Sequence, residues 1–425
     1  VTVLAFNEDH LGDPLPAEGA RLILIRSGFF SVNGRGWSEK FRRAVMHEAA
    51  QVDIVHNHGL WMWPNKYARE AAVAAGKPLI ISPRGMLEAW SLGRSKLRKA
   101  VAWRLFEKRN LQSAAMFHAT AEPEAESILE VTKRLKDEET KGLKHEETAE
   151  TEPRQVAAAQ DHLRLTNLKL KTTTGVPVVV APNGVDFPDL ARRPRREVLE
   201  EKFPALRDRR WVVFMSRLHP KKGIDVLLRA WALQNVEHEA DGIRHTEGGG
   251  DRAQGTGGGG QGAGDLKLKT APHRGAVLVL AGPDLVGYGK DVRRMVQELG
   301  IEDSVVITGE VLGKEKDCLL GNAHVFVLPS YSENFGNVVA EAMAWSRPVI
   351  ASTATPWRQL NEAGAGWWVA PTESELARTL AQALELDAKQ AAAKGQAGRN
   401  LVETSYSWGQ AAEKLLAGYA SIGEA

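Results

Sequence analysis

The chain has one cysteine, Cys318, in 425 residues. That excludes an intramolecular disulfide and suits a reducing compartment such as the cytoplasm. No apolar stretch approaches the roughly 18 to 20 residues that span a bilayer. No signal-peptide pattern is present. An excess of one sign of charge is also missing. Lys and Arg number 55 against 53 Asp and Glu, giving +2 with a pI near 8.5. The basic residues are scattered among acids, which argues against a nucleic-acid partner. With 43% hydrophobic and 25% charged residues, the composition is that of a soluble globular enzyme, and its length calls for two cores.

What is present is alternation. Short apolar runs alternate with amphipathic helical stretches, the pattern of βαβ units and parallel sheets. Strands are predicted at Val1–Phe6, Arg21–Arg26, Val52–His56, Pro78–Ser82, Met116–Ala119 and Val176–Ala181. A second series follows at Trp211–Met215, Ala276–Ala281, Ser304–Thr308, Val325–Pro329 and Pro348–Ser352. Helices are expected at Glu39–Ala50, Pro64–Ala75 and Ile224–Gln234. Two series imply two doubly wound α/β domains facing a cleft. The turn Asn183-Gly184-Val185-Asp186 marks their boundary. The expected division is residues 1–187, 188–404, and a terminal helix within 405–425. Polar stretches near 133–174 and 237–274 have the composition of inserted surface loops. They share the word Leu-Lys-Leu-Lys-Thr, at Leu168–Thr172 and Leu266–Thr270.

The strongest chemical signal follows strand Val325–Pro329. Ser332-Glu333-Asn334-Phe335-Gly336-Asn337 leads into a helix carrying Val338 and Glu341. Ligands of open α/β sheets bind at strand carboxyl ends, and a helix N-terminus there suits a diphosphate. Gly336 lets backbone come close. Glu333 and Glu341 can each accept two hydroxyl hydrogen bonds, as a sugar and a ribose require. The loop Ser216-Arg217-Leu218-His219-Pro220-Lys221-Lys222-Gly223 sits at the end of another strand. Its Arg217 and Lys222 can neutralise a departing diphosphate. Alone, such a basic turn is as readily a solvated surface loop.

These residues together resemble one family. Arg217…Lys222-Gly223 followed by Glu333-x7-Glu341 resembles the retaining group 1 glycosyltransferases (family 4) of GT-B fold. Asn183–Asp186, Ala281-Gly282-Pro283-Asp284 and Gly309-Glu310-Val311 fall where that family has its landmarks. The resemblance covers nearly the whole chain except the two insertions. It implies a UDP- or GDP-sugar co-substrate, with Arg217 and Lys222 on its diphosphate. Glu333 would stabilise the transferred sugar, and Glu341 would hold the ribose. Backbone at Phe335, Gly336, Asn337 and Val338 would contact sugar and phosphate, and Gly309 to Val311 the nucleobase. It further implies a metal-independent hexosyl transfer with retention, to a glycan or lipid-linked glycan acceptor in surface polysaccharide synthesis.

The acceptor side would come from the first domain. His58 and Arg84 lie at consecutive strand ends; many family members have a histidine where Arg84 stands. His56 and His58 make no zinc pair, because no further ligands are evident. The family's first strand, glycine-rich turn and helix are expected to be absent, Val1–Phe6 reading as the second strand. Arg94 to Arg109 form a basic stretch with Trp90 and Trp103, as in helices lying on an anionic membrane face; an ordinary solvated helix is the plainer alternative. The expected place is cytoplasmic, peripheral at the inner membrane face. The competing functions are a catalytically degenerate nucleotide-sugar binder and another GT-B enzyme, an epimerase or phosphorylase.

Overall fold

The computed structural model describes residues 1–7, 19–26, 37–142, 170–244 and 275–423. They form two compact units, Val1–Gly184 with Trp408–Ala425, and Val185–Ser407. Most of both polar insertions, 143–169 and 245–274, lies outside the described residues.

In the first unit, β1 (Thr2–Asn7) pairs in parallel with β2 (Arg21–Arg26). A four-stranded parallel sheet runs β3 (Val55–His58), β4 (Leu79–Ser82), β5 (Ala114–Ala119) and β6 (Val178–Val180), in that order. All four residues of β4 are buried, as expected for a parallel strand covered on both faces. The helix Trp408–Gly423 covers one face. There Leu415, Tyr419 and Ile422 pack on Ile80, Met116 and Val179.

The second unit adds β7 (Arg210–Met215), β8 (Ala276–Ala281), β9 (Val305–Gly309), β10 (Val325–Leu328), β11 (Val349–Ser352) and β12 (Gly366–Val369). Their spatial order is β12-β11-β10-β7-β8-β9, and every pairing is parallel. Chain order therefore reverses between β7 and β10, which makes that gap the topological switch point. The helix starting at Ile224 buries Ile224, Leu227, Leu228 and Trp231 completely. That i, i+3, i+4, i+7 spacing is the apolar stripe of a core-facing helix.

Three differences from the sequence reading go beyond a shift of one or two residues at a strand end. First, β3 begins at Val55 rather than Val52, because pairing starts opposite Leu79; His58 is thus a strand residue. Second, β12 has no counterpart among the predicted strands. Its Gly-Trp-Trp-Val is short, lies at the sheet edge and lacks an aliphatic run. Third, the helix Glu122–Gly142 runs past Lys133, where the polar composition suggests a loop. Val131 and Leu135, one turn apart, are buried and carry it onward.

Candidate active site

The loops after β7 and β10 meet at the switch point of the second unit. Pro220–Lys222 form a single 3-10 turn, capped by His219, whose Nδ1 accepts from the Lys221 N–H at 3.0 Å. Gly223 ends the turn with φ of 67°. The Tyr331 N–H donates to the Lys221 carbonyl at 2.8 Å, stitching one loop to the other. Lys222 Nζ then donates to both Glu333 carboxylate oxygens, at 2.7 and 2.8 Å. The two side chains keep only 9% and 11% of their exposure.

Lys222 and Glu333, assigned above to phosphate and to sugar, thus hold each other in the chain alone. Arg217 is exposed at the end of β7. The helix Asn337–Ala344 starts at Gly336, φ 78°, with no side-chain cap. Glu333 packs close to Gly336 at this helix start, and a helix N-terminus favours an anion. Asn337 is exposed and Val338 half-buried.

Phe335 is buried among the rings of Trp357 and Tyr406. Its carbonyl accepts from Trp357 Nε1 at 2.6 Å. The ring thereby holds the loop in place. Lys316 Nζ lies 2.9 Å from Glu341 Oε2, although the angle makes no hydrogen bond. The Gly309 carbonyl already accepts from the Gly282 N–H at 2.7 Å, and the Val311 side chain is in the core.

In the first unit a chain of hydrogen bonds crosses the carboxyl ends of β3, β4 and β5. His118 Nε2 bonds the Ala181 carbonyl at 2.8 Å, and its Nδ1 meets Ser82 Oγ at 2.8 Å. Ser82 Oγ meets His56 Nε2 at 2.7 Å, and His56 Nδ1 meets Tyr419 Oη at 2.6 Å. A carbonyl can only accept, so His118 Nε2 donates. With neutral rings every other role follows: Ser82 donates to His118, His56 to Ser82, and Tyr419 to His56. Arg84, at φ 55°, donates to His58 Nδ1 at 3.1 Å and to Asn183 Oδ1 at 2.9 Å. Asn183 belongs to the turn singled out in the sequence. His58 stacks on His56, their centroids 4.2 Å apart.

Burial, then the charge of neighbouring groups, lowers His56 to about 2. Burial is also the main cause that lowers His118 to about 4. Desolvation and then the Arg84 guanidinium lower His58 as well; its ring is exposed, so the direction rests on Arg84. The folded state thus resists protons that the unfolded chain accepts near pH 6.5. Stability from His56 and His118 is complete above that pH and falls as pH drops toward their folded values. The first unit should lose roughly 2 kcal/mol per pH unit between pH 6 and pH 4. Melting temperatures across that range, for wild type and His118→Gln, check this; equal slopes in both would refute it.

Sequence reading missed His118, Tyr419 and Lys316. A histidine inside the otherwise apolar Ala114–Ala119 was the available signal. Nothing local marked Tyr419, which reaches His56 from 363 positions away.

Comparison with known proteins agrees with this geometry. Residues 266–401 match the model for glycosyl transferases group 1, and residues 1–134 that for a glycosyl transferase 4-like domain. The chain is 28% identical over 257 residues to a D-inositol 3-phosphate glycosyltransferase of Kineococcus radiotolerans, covering 57% of this chain and 51% of that one. It is 28% identical over 237 residues to a GDP-mannose-dependent alpha-(1-6)-phosphatidylinositol monomannoside mannosyltransferase of Mycolicibacterium smegmatis, covering 53% and 52%. It therefore spans about half the length of these relatives. In fold it is similar to Anabaena HepE solved with UDP and glucose, with TM-score 0.63, 16% identity, and 94% and 86% of the two chains covered. It is likewise similar to sucrose-phosphate synthase from Thermosynechococcus elongatus, with TM-score 0.58, 18% identity, and 97% and 87% covered. Both halves of the chain, the doubly wound sheets and the motifs at their strand ends point the same way: the chain belongs to the group 1 glycosyltransferases, family 4, with the GT-B fold.

Proposed function

We propose that this chain is a retaining, metal-independent hexosyltransferase. It moves a sugar from a nucleoside diphosphate donor to a glycan or lipid-linked glycan acceptor. The observation that carries the reading is the Lys222–Glu333 pair at the switch point, beside an uncapped helix N-terminus. A cation and a carboxylate held together are positioned for the two halves of a donor. The diphosphate takes Lys222, Arg217 and the helix N–H groups. The sugar, which turns positive as its anomeric C–O bond to phosphate breaks, takes the carboxylate. The acceptor oxygen bonds the same face of the anomeric carbon, and its proton passes to the departing phosphate oxygen. Glu341 holds the ribose, and the main chain near Gly309 and Val311 the base. His58 and Arg84 serve the acceptor side.

Support comes from relatives too. One is GDP-mannose-dependent and acts on a phosphatidylinositol monomannoside, and HepE is seen with UDP and glucose. A lipid-linked acceptor fits a peripheral place at the cytoplasmic membrane face, in surface polysaccharide synthesis.

A thermal-shift screen of UDP-, GDP- and ADP-sugars tests the reading. One of them should raise the melting temperature of the second unit, and radiolabelled transfer with that donor should follow. Arg217→Ala should then weaken nucleoside diphosphate binding about tenfold by calorimetry, as loss of one charge-assisted contact costs about 1.5 kcal/mol or more. Its melting temperature should stay put, because the side chain is exposed. Binding without any transfer would favour a degenerate sugar-nucleotide binder. No binding of any nucleotide sugar would defeat the proposal.

A further inference from the structure

Glu341 lies one turn into the helix Asn337–Ala344, which follows the Glu333 loop. Lys316 lies on another helix, Gly313–Gly321, which follows the Gly309–Val311 segment. Strand order explains their meeting. The helix Gly313–Gly321 carries the chain from the edge strand β9 back to β10, past β8 and β7, and so comes against the helix Asn337–Ala344. Lys316 Nζ ends 2.9 Å from Glu341 Oε2, with 32% and 27% of the two side chains exposed.

This pair is unlike others in the unit. Lys222 donates to both oxygens of Glu333, and Arg196 Nε donates to Glu200 at 2.7 Å. Lys316 brings its charge without closing a hydrogen bond, and Glu341 Oε2 is shielded from solvent with none accepted. The exposure that Glu341 keeps therefore lies on its stem and on Oε1. A shielded acceptor left empty costs free energy, so a pair built for stability alone would fill it. A pair this exposed also contributes little stability of its own. What it supplies is orientation. A glutamate alone on a helix surface samples several rotamers, and a cation fixed on a second helix selects the one with Oε2 turned toward it. Oε1 then faces outward with its lone pairs free. Lys316 repels a cationic ligand group there and Glu341 an anionic one. A neutral hydroxyl donor suits both, and a vicinal diol such as that of ribose supplies two.

We propose that Lys316 is a positioning residue that turns Glu341 toward the ribose hydroxyls and so sets a preference for ribonucleotide over deoxyribonucleotide donors. This rests on the donor reading given above. Calorimetry of the full chain with UDP, GDP and ADP finds the base, and the 2′,3′-dideoxy form of the tightest binder is the probe. Wild type should prefer the ribonucleotide by roughly tenfold or more, the worth of one charge-assisted hydrogen bond. Lys316→Met should lose most of that factor for the ribonucleotide and bind the dideoxy compound as wild type does. Glu341→Ala should behave alike, and adding Lys316→Met to it should change nothing further, because a residue that acts only through another has no effect once the other is gone. In transfer assays Lys316→Met should raise the donor KM with turnover at saturation nearly unchanged, since the ribose is held alike in ground and transition states. A ribose preference kept in Lys316→Met, equal losses for both ligands in the folded variant, additive losses in the double variant, or no ribose preference in wild type would overturn the proposal. A wild-type chain that binds none of the three nucleoside diphosphates would instead overturn the donor reading itself, and this inference with it.

Discussion

Glu333→Ala should cut turnover by about 10²- to 10³-fold or more, the range for losing one preorganised electrostatic contact to a transition state. It should also cost stability, which the sequence alone does not suggest. From the motif, Glu333 reads as a loop carboxylate that could be removed without harm to the fold. In the structure it neutralises Lys222, and both are about nine-tenths buried. Breaking a buried pair from one side leaves the other charge stranded, at about 3 kcal/mol, the lower end of the usual range. An inactive Glu333→Ala protein would therefore not by itself prove a catalytic role. Glu333→Gln keeps an acceptor for Lys222 and most of the shape. It should lose nearly as much turnover and far less stability. The double variant Lys222→Met, Glu333→Leu should regain near wild-type stability, because a buried pair exchanged for apolar groups is often neutral, and it should stay inactive. Chemical denaturation and initial rates on the four proteins separate the two effects. Full turnover in Glu333→Gln would remove the carboxylate from the mechanism.

This pair shows how much of the site is legible in advance. Both residues stand out because each follows an apolar strand and precedes a helix, a local pattern. Their bond does not, because it joins positions 111 residues apart, and only the strand order puts β7 beside β10. The strands themselves are legible where they are buried on both faces, as in Ala276–Ala281, whose bounds coincide with those predicted. Legibility fails where the signal is not periodic. The edge strand Gly366–Val369 is built from glycine and tryptophan. The π-turn at Trp103–Glu107 has no periodic signal of its own, whereas Trp103 packs against the core of the first unit, as the plainer reading of an ordinary helix has it. Phe335 is assigned by its place in the motif, yet its ring is a core residue that holds the loop against Trp357 and Tyr406.

Gly223→Ala should be strongly damaging at the candidate donor site. Two independent reasons meet there. At φ of 67° a residue with a side chain gives up about 1 kcal/mol or more. A Cβ at that position would also lie 2.1 Å from the Pro329 carbonyl oxygen. That oxygen is backbone at the end of β10 and cannot swing aside, so the strand end must move, at about 1 to 3 kcal/mol. The sum, about 3 kcal/mol, corresponds to a fall of roughly 10 °C for a unit of this size. Function should fall with it. Lys222 is the preceding residue, and Tyr331 hangs on the Lys221 carbonyl, so separating the loops displaces the cation from the carboxylate. Gly364 supplies the control. It has φ of 68°, and a Cβ added there would meet nothing within 4 Å, so Gly364→Ala should show only the conformational cost. Melting curves and nucleoside diphosphate titrations on both variants settle the matter. If Gly223→Ala melts with Gly364→Ala and binds as wild type, the close approach of the two loops is not what holds Lys222 against Glu333.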